Sequence, residues 1–242
     1  MSQHPITTAV ILAAGLGTRM RPLTQAVPKP LVQLKGQPLI DHVLDRVAAA
    51  GIKKAIINVH FKADLIERHV AQRSGLDITI SDERGDLLDT GGGVKRALAM
   101  SDGGPILIHN SDTTWTEGMG NNLDRLLATW DDTIMDGLLL LALGADALGY
   151  DGRGDFQMAT DGRLTRRGER TIAPFAFTGV SIAHPRLLSD TPDGAFSLNR
   201  VWDRAMEAGR LYGMRMDGKW MHVGTPEALR DAEAWLDHPF DD

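Results

Sequence analysis

The sequence predicts an α/β fold, in which a mostly parallel mixed sheet carries helices on both faces. Two observations lead to this prediction. The first half of the chain alternates short apolar runs with amphipathic stretches, and its first apolar run leads directly into a glycine-rich loop. Such alternation is typical of a doubly wound sheet with right-handed crossovers, which binds ligands at the carboxyl ends of its strands.

The first half of the chain is expected to supply four strands and three helices. The predicted strands are the apolar runs 9–13, 55–59, 78–80 and 105–109. The predicted helices are the amphipathic stretches 38–50, 63–72 and 92–100. The first of these helices is followed by Gly51, a residue type that often ends a helix.

The second half of the chain has a less regular pattern. Its predicted strands are 138–143, 155–158, 163–165 and 176–182. Its predicted helices are 198–208 and 225–236. Asp161 and Gly162 form the expected turn of a hairpin, and Thr225 followed by Pro226 is typical of a helix start. Because no repeat or linker interrupts the chain, we expect one domain over residues 1–242.

Composition and charge exclude several classes of protein. The 242 residues carry a net charge of −6, which argues against a general nucleic-acid-binding protein, since such a protein needs a basic surface. No cysteine is present, which excludes disulfides, thiolate metal sites and a cysteine nucleophile. Residues 1–8 lack the pattern of a signal peptide, and the longest apolar run, 138–143, is too short to cross a bilayer. We therefore expect a cytoplasmic protein without a nucleic-acid or membrane partner.

The glycine-rich loop, residues 12–30, is the most informative segment. It reads LAAGLGTRMRPLTQAVPKP and begins where the first predicted strand ends. Gly15 and Gly17 would let the backbone approach a polyanion closely. Three cations belong to the same loop: Arg19, Arg21 and Lys29. A triphosphate requires both features, although a short G-x-G pattern alone fits a turn with solvated arginines equally well. A dinucleotide fingerprint does not fit, because Met20 stands where it needs glycine.

Five motifs together resemble the sugar-nucleotide pyrophosphorylases, also called sugar-1-phosphate nucleotidyltransferases. The first is L-A-A-G-x-G-T-R-M-x-P-L-T followed by P-K-P-L. The others are DTGGG at 89–93, HNSD at 109–112, GRGDF at 152–156 and WMHVGT at 220–225. The resemblance covers nearly the whole chain. It is strongest with the short bacterial branch that includes N-acetylmuramate-1-phosphate uridylyltransferase.

The resemblance implies a three-layer α/β/α nucleotidyltransferase domain of Rossmann-like type. A nucleotide-binding half would cover about residues 1–115 and a sugar-phosphate-binding half about residues 116–242. The implied substrates are a nucleoside triphosphate and a sugar 1-phosphate, with pyrophosphate as a product. UTP with N-acetylmuramate 1-phosphate, for cell-wall sugar-nucleotide synthesis, is the leading expectation. GTP with mannose 1-phosphate or a heptose phosphate is the alternative. We expect a monomer or a small homo-oligomer.

The same resemblance implies roles on the nucleotide side. The residues expected to contact the nucleotide are Ala13, Ala14, Gly15, Gly17, Thr18, Thr90, Gly91 and Gly92. Arg19 would hold the β- and γ-phosphates, and Lys29 would lie near the α-phosphate or the sugar phosphate, so these two are the expected catalytic residues. Arginine suits bidentate phosphate contact and lysine suits a point charge. The glycines at 91–93 would also fit a helix start with unusual dihedral angles.

On the sugar side the resemblance implies contacts from four residues: Asn110, Asp155, Thr178 and Gly179. Asp155 would accept hydrogen bonds from sugar hydroxyls, and Gly179 would let the sugar lie against a strand. A hairpin aspartate and a strand glycine also have ordinary structural uses, so both interpretations stay open.

The expected metal ligands are Asp112 and His222. Asp112 follows an apolar strand, and its carboxylate suits Mg²⁺. The family has aspartate where this chain has His222, and histidine suits Mn²⁺ or another softer divalent metal better. The protein could use such a metal, hold Mg²⁺ mainly through Asp112, phosphates and water, or bind nucleotide sugars without turnover as a non-catalytic module. A nicotinamide-dependent oxidoreductase is disfavoured by Met20 and Lys29.

Overall fold

The computed structural model describes residues 6–238. Residues 1–5 of the N-terminal segment 1–8, which lacks a signal-peptide pattern, lie outside the described residues. The strands are β1 Thr8–Leu12, β2 Gln33–Leu34, β3 Gln37–Pro38, β4 Lys54–Val59, β5 Asp77–Asp82, β6 Ile106–Asn110, β7 Thr113–Trp115, β8 Gly137–Leu143, β9 Phe156–Met158, β10 Leu164–Arg166, β11 Phe175–Ala183, β12 Leu211–Arg215 and β13 Trp220–His222. The α-helices are α1 Leu39–Ala49, α2 Ala63–Val70, α3 Asp89–Leu98, α4 Asn122–Thr129, α5 Asn199–Glu207 and α6 Pro226–Asp237.

A nine-stranded sheet forms the centre of the described chain. Its core is parallel, in the order β6, β1, β4 and β5. β11 lies antiparallel beside β6 and continues the sheet into β8 and β9, which in turn pair with β12 and β10. The expected mixed sheet with a parallel centre is confirmed, and the carboxyl ends of β1, β4 and β6 meet at one edge.

Helices cover both faces of this sheet, which confirms the three-layer architecture. α1, α2 and α4 pack on one face and α3 and α5 on the other, each with its own apolar cluster. The apolar positions of α1 recur with helical period and are buried: Leu39, Ile40, Val43, Leu44 and Val47. Burial of each such side chain contributes about 1.5–3 kcal/mol relative to exposure.

A third, smaller apolar cluster fixes the position of the glycine-rich loop. Met20 from this loop packs with Val223 and with Leu229 of α6. α6 begins as predicted, because the Thr225 hydroxyl accepts the Ala228 N–H at 3.1 Å and Pro226 occupies the first helical position. The loop is thereby anchored against the segment that follows β13.

Several elements differ from the sequence-based expectation. α3 begins at Asp89 rather than at residue 92, so the glycines at 91–93 lie inside the helix and do not precede it. Asp89 has a φ of 56°. β2, β3, α4, β7, β12 and β13 were not predicted. α4 does bury Leu123, Leu126 and Leu127 at helical spacing, but it has only eight residues. Within residues 6–238, no helix combines the length and the apolar character needed to cross a bilayer.

Candidate active site

A cavity of about 350 Å³ opens where β1, β4 and β6 end. The glycine-rich loop forms one wall through Ala13, Ala14 and Gly15, and the loop before α3 forms the opposite wall. Lys29 and Asp112 line this cavity and also a second hollow of about 200 Å³ beside it. The two hollows therefore form one continuous site, with Lys29 and Asp112 at their junction.

The glycine-rich loop bends over the second hollow. Gly17 has a φ of 63°, and a Cβ there would lie 3.0 Å from Thr24 Cγ2 and 3.1 Å from Lys29 Cβ, so the turn needs glycine. The Thr24 hydroxyl donates to the Gly17 carbonyl at 2.8 Å and fixes the turn. Gly15, by contrast, has open space where a Cβ would stand. The loop thus presents bare backbone at Gly15.

Lys29 and Asp112 form an ion pair in the floor of the site. Lys29 Nζ lies 2.6 Å from Asp112 Oδ2, and the two side chains are 12% and 20% exposed. Burial raises the pKa of Asp112, but Lys29 and His222 lower it further than burial raises it. The pKa therefore lies below its ordinary value, and the carboxylate is ionised at neutral pH.

His222 lies beside this ion pair because β13 pairs with β7. His222 is opposite Thr113 in this two-stranded sheet, and the Val223 N–H donates to the Asp112 carbonyl at 3.1 Å. Burial lowers the pKa of the His222 imidazole, Asp112 raises it, and Lys29 and Arg19 lower it, with a net shift downward. The ring is therefore neutral at pH 7 and has a lone pair available for a metal or a donor group.

Arg19 projects over the same hollow. A Cβ at Gly224 would lie 2.7 Å from His222 Nε2 and 3.4 Å from Arg19 Nη1, so Gly224 leaves room for both side chains. Arg19 is exposed, and its guanidinium has no hydrogen bond or ion pair to any residue within 6–238. It is a free cation at the mouth of the site.

The residues present fit a divalent cation that is shared with a ligand. No group of three or more histidine, aspartate or glutamate side chains within residues 6–238 forms a metal site. Asp112 and neutral His222 supply two protein donors at most. Mg²⁺ commonly binds through one or two carboxylates and takes its other ligands from phosphates and water. The donor set therefore suits a metal brought in with a triphosphate.

The second glycine-rich segment, residues 90–93, occupies the first turn of α3. The N–H groups of Gly91 and Gly92 donate to the Phe196 carbonyl at 2.7 and 3.2 Å, and the Thr90 hydroxyl accepts the Leu198 N–H at 2.9 Å. Thr90 lines the cavity, whereas Gly91 and Gly92 lie behind it against the 194–198 loop. Gly91 and Gly92 therefore pack against the 194–198 loop of the protein itself.

The residues expected on the sugar side gather around an irregularity in β11. Its register with β8 shifts between Phe177 and Ser181, where Gly179 has a φ of 87°. A Cβ at Gly179 would lie 2.5 Å from Asn110 Nδ2, so this glycine makes room for Asn110 in the cavity wall. The irregularity therefore shapes the part of the cavity wall that Asn110 lines.

Two of the expected sugar-side residues are already engaged within the protein. The buried Thr178 hydroxyl donates to the Leu140 carbonyl at 2.8 Å. Asp155 Oδ2 accepts the Phe177 N–H at 2.8 Å, and Asp155 does not line the cavity between the glycine-rich loop and α3. The Thr178 hydroxyl thus stabilises the sheet. Because the Phe177 N–H binds Asp155 Oδ2, the oxygen of Asp155 that this hydrogen bond leaves available is Oδ1.

Asn58 and Glu83 belong to the cavity wall and were not predicted from the sequence. Asn58 Oδ1 accepts the N–H groups of Ala13 and Ala14, and its Nδ2 donates to Glu83. The only signal for them was their position, a polar residue within an apolar strand and an acidic residue directly after another strand. Such a position does not distinguish a site residue from a strand end.

The comparisons with known proteins agree with this geometry. Residues 8–140 match the family model described as "Nucleotidyl transferase". The chain is 47% identical to N-acetylmuramate alpha-1-phosphate uridylyltransferase of Caulobacter vibrioides, over 98% of this chain and 99% of the relative. It is 29% identical to mannose-1-phosphate guanylyltransferase catalytic subunit beta of Danio rerio, over 90% of this chain but 61% of that longer protein.

The fold also matches a solved structure. UDP-glucose pyrophosphorylase from Acinetobacter baumanii superposes with a TM-score of 0.79 over 97% of this chain and 95% of that one, at 18% identity. This likeness concerns the fold alone. The family match over residues 8–140 and the similarity to the Caulobacter protein over nearly the full length show that the chain belongs to the nucleotidyl transferase family.

Proposed function

We propose that this protein transfers the uridylyl group of UTP to N-acetylmuramate 1-phosphate and releases pyrophosphate. The observation that carries the proposal is the identity of nearly half of all residues with the Caulobacter uridylyltransferase over both full lengths. The site supports the same chemistry, because bare backbone at Gly15, a free arginine and a lysine–carboxylate pair converge on one cavity. Because UTP is a cytoplasmic nucleotide, we place the reaction in the cytoplasm and its product in cell-wall synthesis.

The reaction needs positioning and charge stabilisation rather than a covalent intermediate. An oxygen of the sugar phosphate attacks the α-phosphorus in line, and the bond to the β-phosphate oxygen breaks. Negative charge then builds on the departing pyrophosphate. Arg19 is suited to hold the β- and γ-phosphates, because its guanidinium is exposed beside Gly15 and Gly17 and has no competing bond in the described chain.

Lys29 is suited to the α-phosphate. Its ammonium group lies at the junction of the two hollows, where the nucleotide and the sugar phosphate would meet. Its bond to Asp112 holds the side chain in place before a ligand binds. Such preorganised charge stabilises a transition state more than a mobile charge does, because little reorganisation is needed during the reaction.

Asp112 and His222 are the proposed ligands of the metal. A bound Mg²⁺ or Mn²⁺ would neutralise phosphate charge and polarise the phosphoryl oxygens. Asp112 supplies an ionised carboxylate and His222 a neutral imidazole on the same side of the site. Because histidine replaces a second carboxylate, we expect Mn²⁺ to support the reaction at least as well as Mg²⁺.

Guanylyl transfer to mannose 1-phosphate is the second candidate. The similarity to the Danio rerio guanylyltransferase subunit favours it, but that similarity is lower and covers only part of the longer protein. The cavity wall formed by the loop before α3 would face the base of UTP or of GTP, and it contains Leu87, Asp89 and Thr90. The choice between the bases is therefore a question for experiment.

The test is pyrophosphate release from pairs of substrates. UTP with N-acetylmuramate 1-phosphate and GTP with mannose 1-phosphate are each combined with Mg²⁺, Mn²⁺ or Co²⁺. We expect the UTP pair to exceed the GTP pair at least tenfold in kcat/KM, a difference of about 1.4 kcal/mol. Preference for the GTP pair would replace the proposal with its alternative. Binding of both ligands without pyrophosphate release under any metal would indicate a non-catalytic module.

A further inference from the structure

We infer that Asn58 and Glu83 form a positioning pair that joins the two walls of the nucleotide cavity and sets their separation. The inference rests on the proposed function only in naming UTP as the ligand of that cavity. The motifs assigned neither residue a role. Both belong to the cavity lining, yet both are buried, since Asn58 is 3% exposed and Glu83 is 0% exposed. The role that we infer for them acts through the backbone amides that they hold.

Asn58 holds the glycine-rich loop. It lies in β4, beside the end of β1, and its Oδ1 accepts the Ala13 N–H at 2.6 Å and the Ala14 N–H at 3.3 Å. These two amides are therefore already bonded to Asn58 and are not free to bind a ligand. The backbone that stays free for a phosphate chain begins at Gly15, so Asn58 decides where the open part of the loop starts.

Glu83 holds the opposite wall. Its Oε1 accepts from Asn58 Nδ2 at 2.8 Å, and its Oε2 accepts the Leu88 N–H at 3.1 Å, directly before α3 begins. Its own backbone is fixed at both ends, because its N–H donates to the Val59 carbonyl at 2.8 Å and its carbonyl accepts from His60 Nδ1 at 2.7 Å. A continuous chain of hydrogen bonds thus runs from the glycine-rich loop to the loop before α3.

The pair has a single arrangement that satisfies every group. The Asn58 amide must direct its oxygen toward Ala13 and Ala14 and its nitrogen toward Glu83, because the reverse orientation would place donor against donor and acceptor against acceptor. Gly93 packs against the pair, since a Cβ there would lie 2.7 Å from Asn58 Nδ2 and 2.8 Å from Glu83 Oε1. The third glycine of the second glycine-rich segment is therefore explained by this pair.

The pair has no cation to neutralise it within the described chain. Glu83 makes no ion pair with any residue from 6 to 238, and its carboxylate oxygens are held by hydrogen bonds from Asn58 and the Leu88 backbone. Because a buried polar group that loses its partner is costly, a change in either side chain should move the groups it holds. The expected consequence is a change in nucleotide binding with little change in the chemical step.

The test exchanges the amide of Asn58 and the carboxylate of Glu83 between their two positions. Glu83→Gln leaves an NH₂ group facing either the Asn58 NH₂ or the Leu88 N–H, and Asn58→Asp places two carboxylates together. We expect each single variant to raise the KM for UTP roughly tenfold, with kcat changed less than threefold.

In the double variant N58D/E83Q, the carboxylate introduced at position 58 accepts from Ala13, Ala14 and the amide introduced at position 83. The oxygen of that amide accepts from Leu88. This variant should return KM to within about threefold of the wild-type value.

Glu117→Gln is the matched control. Glu117 Oε2 accepts from Asn122 Nδ2 at 2.6 Å in a second asparagine–glutamate pair, whose asparagine is buried and which does not line the cavity. This variant should lose stability, as Glu83→Gln should, but leave the KM for UTP unchanged. Amide hydrogen exchange supplies a readout independent of turnover: Ala13, Ala14 and Leu88 should exchange faster in the Glu83 variant and not in the Glu117 variant.

The outcomes separate this inference from the proposed function. If the wild-type protein does not turn over UTP, the proposed function fails, and the positioning pair is then judged by nucleotide titration and by exchange at the three amides. If Glu83→Gln binds nucleotide as well as the Glu117 variant does, the inference is wrong. A folded double variant with wild-type stability and unrecovered KM would also overturn it.

Discussion

Two glycine-rich segments flank the same cavity and use glycine for opposite purposes. At Gly15 nothing stands where a Cβ would lie, so the missing side chain leaves space that a ligand can enter. At Gly91 and Gly92 a Cβ would overlap the Phe196 side chain and the Gly194 carbonyl, so the missing side chains leave space that the protein itself fills. The difference teaches that a glycine motif near a site identifies close approach, but not which group approaches.

Gly179 combines the two uses. Its φ of 87° requires glycine for backbone reasons, and the side chain that approaches it is Asn110, a residue of the cavity wall. A change at Gly179 should therefore affect both stability and binding, whereas changes at Gly15 and Gly92 should separate them. Substitutions at these glycines and at Arg19 test this division, in order of decreasing effect.

Removal of Arg19 should give the largest effect. If the open loop at Gly15 binds phosphates, Arg19→Ala should lower kcat/KM for UTP roughly 10²–10³-fold, the range found for loss of one preorganised charge-stabilising donor. The melting temperature should not change, because Arg19 has no hydrogen bond or ion pair in the described chain. Steady-state kinetics and thermal melts test this, with Arg200→Ala, an exposed arginine of α5, as the control. A loss below threefold would contradict a phosphate-binding role.

Gly92→Ala should mainly reduce stability. The added Cβ would overlap the Gly194 backbone carbonyl and lie 3.0 Å from Leu88 Cβ, so the 194–198 loop must move. We expect the free energy of unfolding to fall by about 3 kcal/mol, the upper part of the range for overpacking. Denaturant unfolding measures it, with Gly104→Ala as the control because its Cβ would meet nothing within 4 Å. Wild-type stability would mean that the two loops are not packed as described.

Gly179→Ala should reduce stability and sugar binding together. The left-handed backbone should cost about 1–2 kcal/mol with any L side chain, and the Cβ should displace Asn110. The KM for the sugar phosphate is expected to rise, while the KM for UTP changes little. The double variant with Asn110→Ala relieves the crowding but not the backbone strain. If that double variant regains full stability, the strain at Gly179 has been misjudged.

Gly15→Ala should have the smallest effect and only on activity. Its Cβ would stand in open space and its φ is not positive, so the unfolding free energy should stay within about 0.5 kcal/mol of the wild-type value. A methyl group at this position should still hinder a phosphate chain and lower kcat/KM roughly tenfold. Kinetics with UTP measure it. An unchanged rate would move the phosphate chain away from Gly15.

Much of the fold could be predicted because its signals are local. β1, β4, β6 and α1 were predicted from short apolar runs and helical periodicity, with ends correct to one or two residues. α6 was predicted from Thr225 and Pro226, whose capping role depends on neighbouring residues alone. β7 and β13 were missed, although β9 and β10 are equally short and were predicted. β9 and β10 flank the turn at Asp161 and Gly162, whereas β7 and β13 are far apart in the sequence and pair only in the folded chain.

The site could be predicted only in part. The glycine-rich loop with Arg19 and Lys29 was expected at a strand end, and Lys29 and Asp112 do meet there. Asn58 and Glu83 could not be predicted, because their importance depends on which amides of other segments they accept. Thr178 shows the reverse, since its hydroxyl is used within the sheet although the motif suggested a ligand contact.

The sequence by itself determined the strand–helix alternation, the absence of cysteine chemistry, and a loop rich in glycine and cations at the end of the first strand. The tertiary structure alone decided which glycines face the cavity and which face protein, and it brought His222 beside Asp112 through the pairing of β13 with β7. The physical reason is how far apart in the sequence the interacting residues lie. Periodicity, capping and charge are properties of neighbouring residues, whereas free space and hydrogen-bond partners depend on segments that meet only when the sheet and its helices pack.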